Sequence, residues 1–154
     1  EAIITQNIDD LHQQAGSGEV LEIHGNLRSA TCMDCYRVQP TRDLLSDFLT
    51  SGDIPRCPHC GGVMKPNIVL FGEQLPVEVF NAALSHIRSA DLMLIAGSSL
   101  EVVPVSQLPV RIHRRGGRLI VVNRTPTYAD DVAEVVIHGD VADVLPEIAE
   151  ACQA

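Results

Sequence analysis

The chain has 154 residues, with 20 acidic and 11 basic side chains and a formal net charge of −9, a length that suits one domain or one core with a small inserted module. Hydrophobic residues make up 45% and aromatic residues 3%, without tryptophan, which excludes intrinsic disorder and demands an aliphatic core. The acidic surplus argues against a phosphate-backbone binder, and the longest apolar run, Leu92 to Ala96, falls far short of the ~18 residues of a membrane span.

In chain order, Ala2 to Thr5 reads as a short buried strand ending at the polar cluster Gln6-Asn7-Ile8-Asp9-Asp10. A brief helix over Leu11 to Ala15 stops at Gly16, and Val20 to Ile23 is a second strand ending at His24-Gly25-Asn26. Gly16-Ser17-Gly18 imitates the start of a dinucleotide fingerprint, but Leu21 stands at the third glycine position and a strand follows where a helix should open, so it reads as a loop. Next come Cys32, Cys35, Cys57 and Cys60, two C-x-x-C pairs separated by 21 residues. Each pair aims two thiolates at one point, and four thiolates complete the tetrahedron of a structural zinc ion. Gly61-Gly62 lets the chain wrap the metal closely. Met33 and His59 fill the knuckles. Between the pairs, Pro40-Thr41 opens a helix through Leu44, Leu45, Phe48 and Leu49. Asn67 to Glu73 reads as extended and apolar.

The last third is regular. Pro76 starts a helix whose apolar face is Val77, Val79, Phe80, Ala83, Leu84 and Ile87. A buried strand over Asp91 to Ala96 turns sharply at Gly97-Ser98-Ser99 into a helix predicted to reach about Arg115 and to end at Gly116-Gly117. Arg118 to Val122 and Val135 to Ile137 are further buried strands, and Asp140 caps a closing helix through Leu145, Ile148 and Ala151 that holds Cys152 as a small buried hydrophobe. Apolar strands alternating with helices predict an α/β fold, a Rossmann-like parallel sheet with helices on both faces plus a small inserted zinc-ribbon module. The division expected is residues 1–27 and 66–154 for the dinucleotide-binding domain and 28–65 for the zinc module.

Open parallel sheets bind ligands at the carboxyl ends of their strands, and four strands here end in small or polar groups: Gln6-Asn7, His24, Gly97-Ser98-Ser99 and Asn123-Arg124. A helix N-terminus beside Ser98 and Ser99 would suit a phosphate, and Asn123 a ribose hydroxyl. Taken singly, each has an ordinary structural role: helix capping for the serines, a turn for residues 6–10, a backbone-satisfied imidazole for His24.

Together, Thr5-Gln6-Asn7-Ile8-Asp9, Leu11-His12-Gln13, Ala15-Gly16, Ile23-His24-Gly25-Asn26, the two C-x-x-C pairs, residues Lys65 to Glu73, Gly97-Ser98-Ser99-Leu100 and Val122-Asn123 resemble the sirtuin family in its own order. The resemblance implies NAD-dependent protein-lysine deacylation, with NAD consumed as co-substrate, release of nicotinamide and O-acyl-ADP-ribose, and an acylated-lysine protein or peptide as partner. It implies that His24 is the general base, since an imidazole both holds and yields a proton near neutral pH, with Asn7 beside it in catalysis. Gln6, Asn7, Ile8 and Asp9 would line the nicotinamide-ribose pocket, Gly97, Ser98 and Ser99 would meet NAD phosphate, and Asn123, Arg124 and Val141 the adenosine half. Val69, Phe71, Gly72 and Glu73 would take the substrate peptide as an added strand. Asp10 departs from a glycine frequent in the family at that position.

The family's Gly-Ala-Gly-Ile-Ser fingerprint and following Pro-Asp-Phe-Arg are absent from the sequence and would precede Ala2. With Glu1 in place of a methionine, the expectation is a carboxy-terminal part of a sirtuin core that alone binds NAD weakly. The expected location is the cytoplasm, with no direct nucleic-acid or membrane partner. Two rivals stand beside deacylation. One is NAD-dependent ADP-ribosyl transfer, which would use the same residues. The other is a nucleic-acid-binding zinc ribbon, disfavoured because residues 28–65 carry five basic and four acidic side chains, with Tyr36 and Phe48 as their only aromatics.

Overall fold

A computed structural model describes residues 1–153, and the chain divides into two compact units, residues 1–83 and 84–154. In the first unit, β1 (Ile3–Thr5) lies parallel to β2 (Val20–Glu22), Ile3 opposite Val20 and Thr5 opposite Glu22. The link between them holds one turn of helix, α1 (Leu11–Gln14), preceded by Asp10 in the left-handed region at φ 67°. That backbone explains why a glycine suits this position; an aspartate tolerates it better than most side chains.

After β2 the chain enters a strand that the sequence patterning does not disclose, β3 (Gly25–Cys32). It is the centre of a three-stranded antiparallel sheet, flanked by β4 (Val38–Pro40) and β5 (Met64–Ile68). The helix α2 (Thr41–Ser51) packs on β3. It begins right after Pro40 and ends at Gly52, whose φ of 77° lets its N–H reach the Phe48 carbonyl at 2.7 Å. A small core of Ala30, Cys32, Cys57 and Met64, with Cys35 and Leu44 against it, draws half of these residues from the two C-x-x-C pairs.

The helix α3 (Val77–Ser89) starts one residue after Pro76, where the sequence places it. In the second unit, β6 (Leu92–Ala96), β7 (Arg118–Asn123) and β8 (Val135–His138) form a parallel sheet in that order. The helices α4 (Leu108–His113) and α5 (Val141–Ala151) pack on β7, where Leu119, Val121 and Val122 are fully buried beside Leu108 and Ile112. Each such side chain contributes roughly 1.5–3 kcal/mol by leaving water. Asp140 caps α5 as expected, accepting the Ala142 N–H at 3.0 Å.

Four expectations are corrected. The helix drawn from Ser99 to Arg115 does not start at the serines; residues 98–104 are irregular, a 3-10 turn covers Val105–Gln107, and α4 follows. Val103 precedes a proline, which disfavours helical backbone there, and Leu100 sits at φ 55°. Residues 67–73 are not one extended stretch, because β5 ends at Ile68 and Phe71-Gly72 lie in a turn. The strand β6 is buried on one face only: Ile95 is 4% exposed, whereas Leu92 and Leu94 are 42% and 47% exposed. Cys152, expected to be buried, is the exposed C-cap of α5. Among the described residues no helix is long and apolar enough to cross a membrane.

Candidate active site and metal centre

The four sulfurs of Cys32, Cys35, Cys57 and Cys60 all lie within 4.8 Å of one another. The cross-knuckle pairs Cys32–Cys60 and Cys35–Cys57 stand 3.5 and 3.7 Å apart. Zn–S bonds of ~2.3 Å in a tetrahedron require sulfur–sulfur edges of about 3.8 Å, and these two spacings lie close to that value. The knuckles are backbone devices. The Cys35 and Asp34 N–H groups donate to Cys32 Sγ at 3.5 Å and pull that thiol down to about 7, favouring the ligating thiolate. For Cys60 the Gly62 N–H pulls the same way, but the sulfurs of Cys32 and Cys35 outweigh it and push the thiol up to about 12. Four crowded thiols without a cation cannot all ionise. A Cβ on Gly62 would stand 2.4 Å from Asp34 Oδ2 and 2.9 Å from Cys32 Sγ, so this glycine is required for close approach rather than for flexibility.

At the carboxyl end of β1, the Asn7 N–H donates to Thr5 Oγ1 at 3.1 Å, turning the chain out of the strand. Asp9 accepts the Leu11 N–H at 3.1 Å. Arg28 forms ion pairs with Glu22 and Asp10, which closes the same turn; its hydrogen bond is the main reason the Glu22 carboxyl is held low. Half-buried His24 follows β2. Its Nδ1 lies 3.3 Å from the Gln6 carbonyl oxygen, and a carbonyl can only accept, so in the neutral ring Nδ1 carries the proton and Nε2 is the nitrogen with the lone pair. Among the described residues Nε2 has no protein partner. The residue is also clamped by its backbone, because the Val69 N–H donates to the His24 carbonyl at 2.9 Å. The fold therefore brings Gln6 and Val69 against His24, with Asn7 next to Gln6 in the chain. The backbone turns at Gly25, whose φ of 74° and whose absent Cβ, only 2.0 Å from the Asn67 carbonyl if present, admit no other residue.

The segment after β5 is held by a latch that sequence reasoning overlooked. Lys65 Nζ donates to the Ile68 carbonyl at 2.9 Å and to Glu73 Oε2 at 3.0 Å, and the same carboxylate oxygen accepts the Leu70 N–H at 2.9 Å. The Leu70 N–H, then Lys65, hold the Glu73 carboxyl below its ordinary range. Opposite charges flanking Leu70-Phe71-Gly72 were the available signal. The latch leaves Phe71 fully exposed at the turn and Gly72 at φ 87°. Behind it, Asn67 joins two strands, accepting from Thr31 Oγ1 at 2.6 Å and donating to Ser29 Oγ at 2.7 Å.

In the second unit, Gly97, Asn123 and Val141 meet at the carboxyl ends of the parallel strands. The Gly97 N–H donates to the Val122 carbonyl at 3.0 Å, and a Cβ on Gly97 would touch the Val141 side chain at 3.6 Å. Ser98 Oγ is occupied locally, accepting the Leu100 N–H at 3.3 Å; Ser99 is exposed. Any phosphate there would meet loop groups, not the expected helix N-terminus. Asn123 is buried, with Nδ2 donating to the Thr125 carbonyl at 2.8 Å, and its own carbonyl lies 3.2 Å from His138 Nδ1. Arg124 pairs with Asp140 at the head of α5; the Ala142 N–H, then Arg124, lower the Asp140 carboxyl.

The sequence model described as Sir2 family matches residues 1–104. The chain belongs to the Sir2 family. Among Sir2 relatives, it is 43% identical over 151 residues to the NAD-dependent protein deacylase 2 of Archaeoglobus fulgidus, covering 97% of this chain and 59% of that protein. It is 46% identical over 143 residues to an NAD-dependent protein deacetylase of Caldivirga maquilingensis, covering 93% of this chain and 55% of that protein. A Sir2 structure described with a p53 peptide and NAD+ superposes with a TM-score of 0.93 at 40% identity, over 99% of this chain and 63% of that one. Sir2Tm bound to a propionylated peptide gives 0.93 at 39%, over 99% and 64%. The chain thus spans between half and two thirds of the length of these Sir2 proteins.

Proposed function

We propose that this chain carries the general base and the structural metal site of an NAD-dependent protein-lysine deacylase. The observation that bears most weight is the half-buried His24, tied through Nδ1 to the Gln6 carbonyl with Nε2 free. A base must be held, oriented and left with a lone pair, and this imidazole meets all three conditions. NAD, when bound, supplies a ribose carbon that loses nicotinamide and accepts the acyl oxygen. His24 Nε2 would take a proton from a ribose hydroxyl brought against it. The side chains of Gln6, Asn7 and Asp9 offer the short donors and acceptors that orient a sugar and a carboxamide, with Ile8 as the adjoining apolar contact. In the second unit, Gly97, Ser98 and Ser99 would serve phosphate, and Asn123, Arg124 and Val141 the adenosine half.

The relatives named as deacylases and the Sir2 structures holding peptides support an acylated lysine as substrate. The tethered turn from Val69 to Glu73 would receive it. Val69 lies next to the His24 carbonyl, Phe71 is a free apolar surface for an aliphatic stem, and Gly72 lets the turn form. The four cysteines would hold zinc as a closed structural site with no open position for water. The expected division of labour is 28–65 for metal and 1–27 with 66–154 for NAD, in a cytoplasmic protein.

The test incubates a purified protein containing this chain with an acetyl-lysine peptide, with and without NAD, and follows products by mass spectrometry. Loss of 42 Da from the peptide (the acetyl mass, about 42 by composition) only with NAD, together with acetyl on ADP-ribose, supports the reading. ADP-ribose appearing on protein while the peptide stays acetylated would replace it with ADP-ribosyl transfer.

A further inference from the structure

The second unit carries a feature that the NAD reading does not use. Residues 102–129 hold five arginines and no carboxylate, in a chain whose net charge is −9. The fold concentrates three of these, with one more from α3, around a single open hollow of about 290 Å³ lined by Leu84, Ile87, Arg88, Arg111, Arg114 and Arg115. Arg88 lies in the last turn of α3 and Arg111 in that of α4, with Arg114 and Arg115 directly after.

Cations gather at helix C-termini for a simple reason, the orphan carbonyls, and that accounts for one of the four. Arg115 Nη1 donates to the Ile87 carbonyl at 2.7 Å, tying the end of α3 to the segment after α4 and fixing the rim of the hollow. Among the described residues, the guanidinium groups of Arg88, Arg111 and Arg114 have neither a carboxylate nor a carbonyl partner. Three like charges around one concavity repel one another, and a multiply charged anion relieves all of them at once. Guanidinium forks match phosphate oxygens in pairs, and the floor of Leu84 and Ile87 supports the arginine stems. The volume is several times that of one phosphate group. The basic patch is confined to two helix ends and does not form a stripe, which disfavours a nucleic-acid backbone.

We propose that this hollow binds a linear oligophosphate, two or three linked phosphate groups, through Arg88, Arg111 and Arg114. The site is independent of the deacylase reading.

The test is calorimetric titration of sodium tripolyphosphate into the protein at physiological ionic strength, with NAD present in excess to occupy any NAD site. The expected result is one saturable site per chain, weaker as salt rises, with orthophosphate at least about tenfold weaker. The double variant Arg111→Gln/Arg114→Gln should bind at least about tenfold more weakly with an unchanged far-UV spectrum. Any pull of the chelating anion on zinc is common to both proteins and cancels in that comparison. Should the double variant misfold, Arg88→Gln carries the same expectation. Absence of saturable binding, equal affinity in the folded variant, loss of binding with NAD, or stronger binding of a short DNA duplex would each overturn the proposal.

Discussion

At the level of single residues, position and tautomer matter more than residue type. His24 is one of six histidines, but its ring is held by a neighbouring strand end while Nε2 stays free. His138, by contrast, has Nδ1 at the Asn123 carbonyl and Nε2 at 3.3 Å from Asp130, so it is spent on structure. Replacing His24 by Ala should lower NAD-dependent deacylation by roughly 10²-fold or more, the ordinary worth of a general base, while the melting temperature stays near that of the parent; parallel turnover and thermal-unfolding measurements check both. Gly25→Ala should behave oppositely, because the new methyl meets the Asn67 carbonyl from a left-handed backbone. A loss of at least about 2 kcal/mol is expected, read from urea denaturation. Much of this site was legible in sequence. Gln6, Asn7 and His24 stood at strand ends, and strand ends converge in parallel sheets. The hydrogen bond that sets the tautomer was not legible, nor was the contact that forbids a side chain at 25. Both depend on distances between strands, which no local pattern encodes.

Among the elements, the zinc module illustrates how little regular structure a metal requires. Its two knuckles and the strands that flank them bury four core residues, too few to fold unaided. Metal binding supplies on the order of 10 kcal/mol in such sites. A strong chelator should therefore release one zinc per chain and erase amide protection across residues 28–65, measured by hydrogen exchange with metal analysis. The C-x-x-C spacing announced this module, whereas β3 escaped notice because Gly25 to Cys32 mixes polar and apolar residues without clean alternation. The latch over residues 65–73 makes a second prediction. Glu73 has its carboxyl lowered from 4.5, so what it adds to the turn is fully present above that pH and is lost as pH falls through the lower folded value. Protection of the Leu70 amide should hold at pH 6 and fade towards pH 3, and Glu73→Gln should weaken it even at pH 6. The misplaced helix start near Ser99 belongs to this scale too. A helix running from the serines to about Arg115 has to cross Pro104, although the residue before a proline resists helical backbone.

Across the whole molecule, acid predominates but is unevenly distributed. The calculated isoelectric point is about 4.9, so solubility should pass through a minimum near that pH, which turbidity against pH will locate. The overall class was readable because strand and helix signals alternated, and alternation of that kind leaves few topologies open. The exposure of one face of β6 was not readable, since an unbroken apolar run looks the same whether one or both of its faces are covered. Leu92 and Leu94 point outward from a strand that pairs on one side only among the described residues.

That half-clad strand sets the conditions under which these 154 residues, purified by themselves, will keep. In such a preparation an outermost ribbon of backbone donors and acceptors beside wetted leucines is a template for its own copies, so storage of that 154-residue piece at high concentration invites stacking into insoluble ladders. A lysine in place of Leu94 would act as a gatekeeper against them.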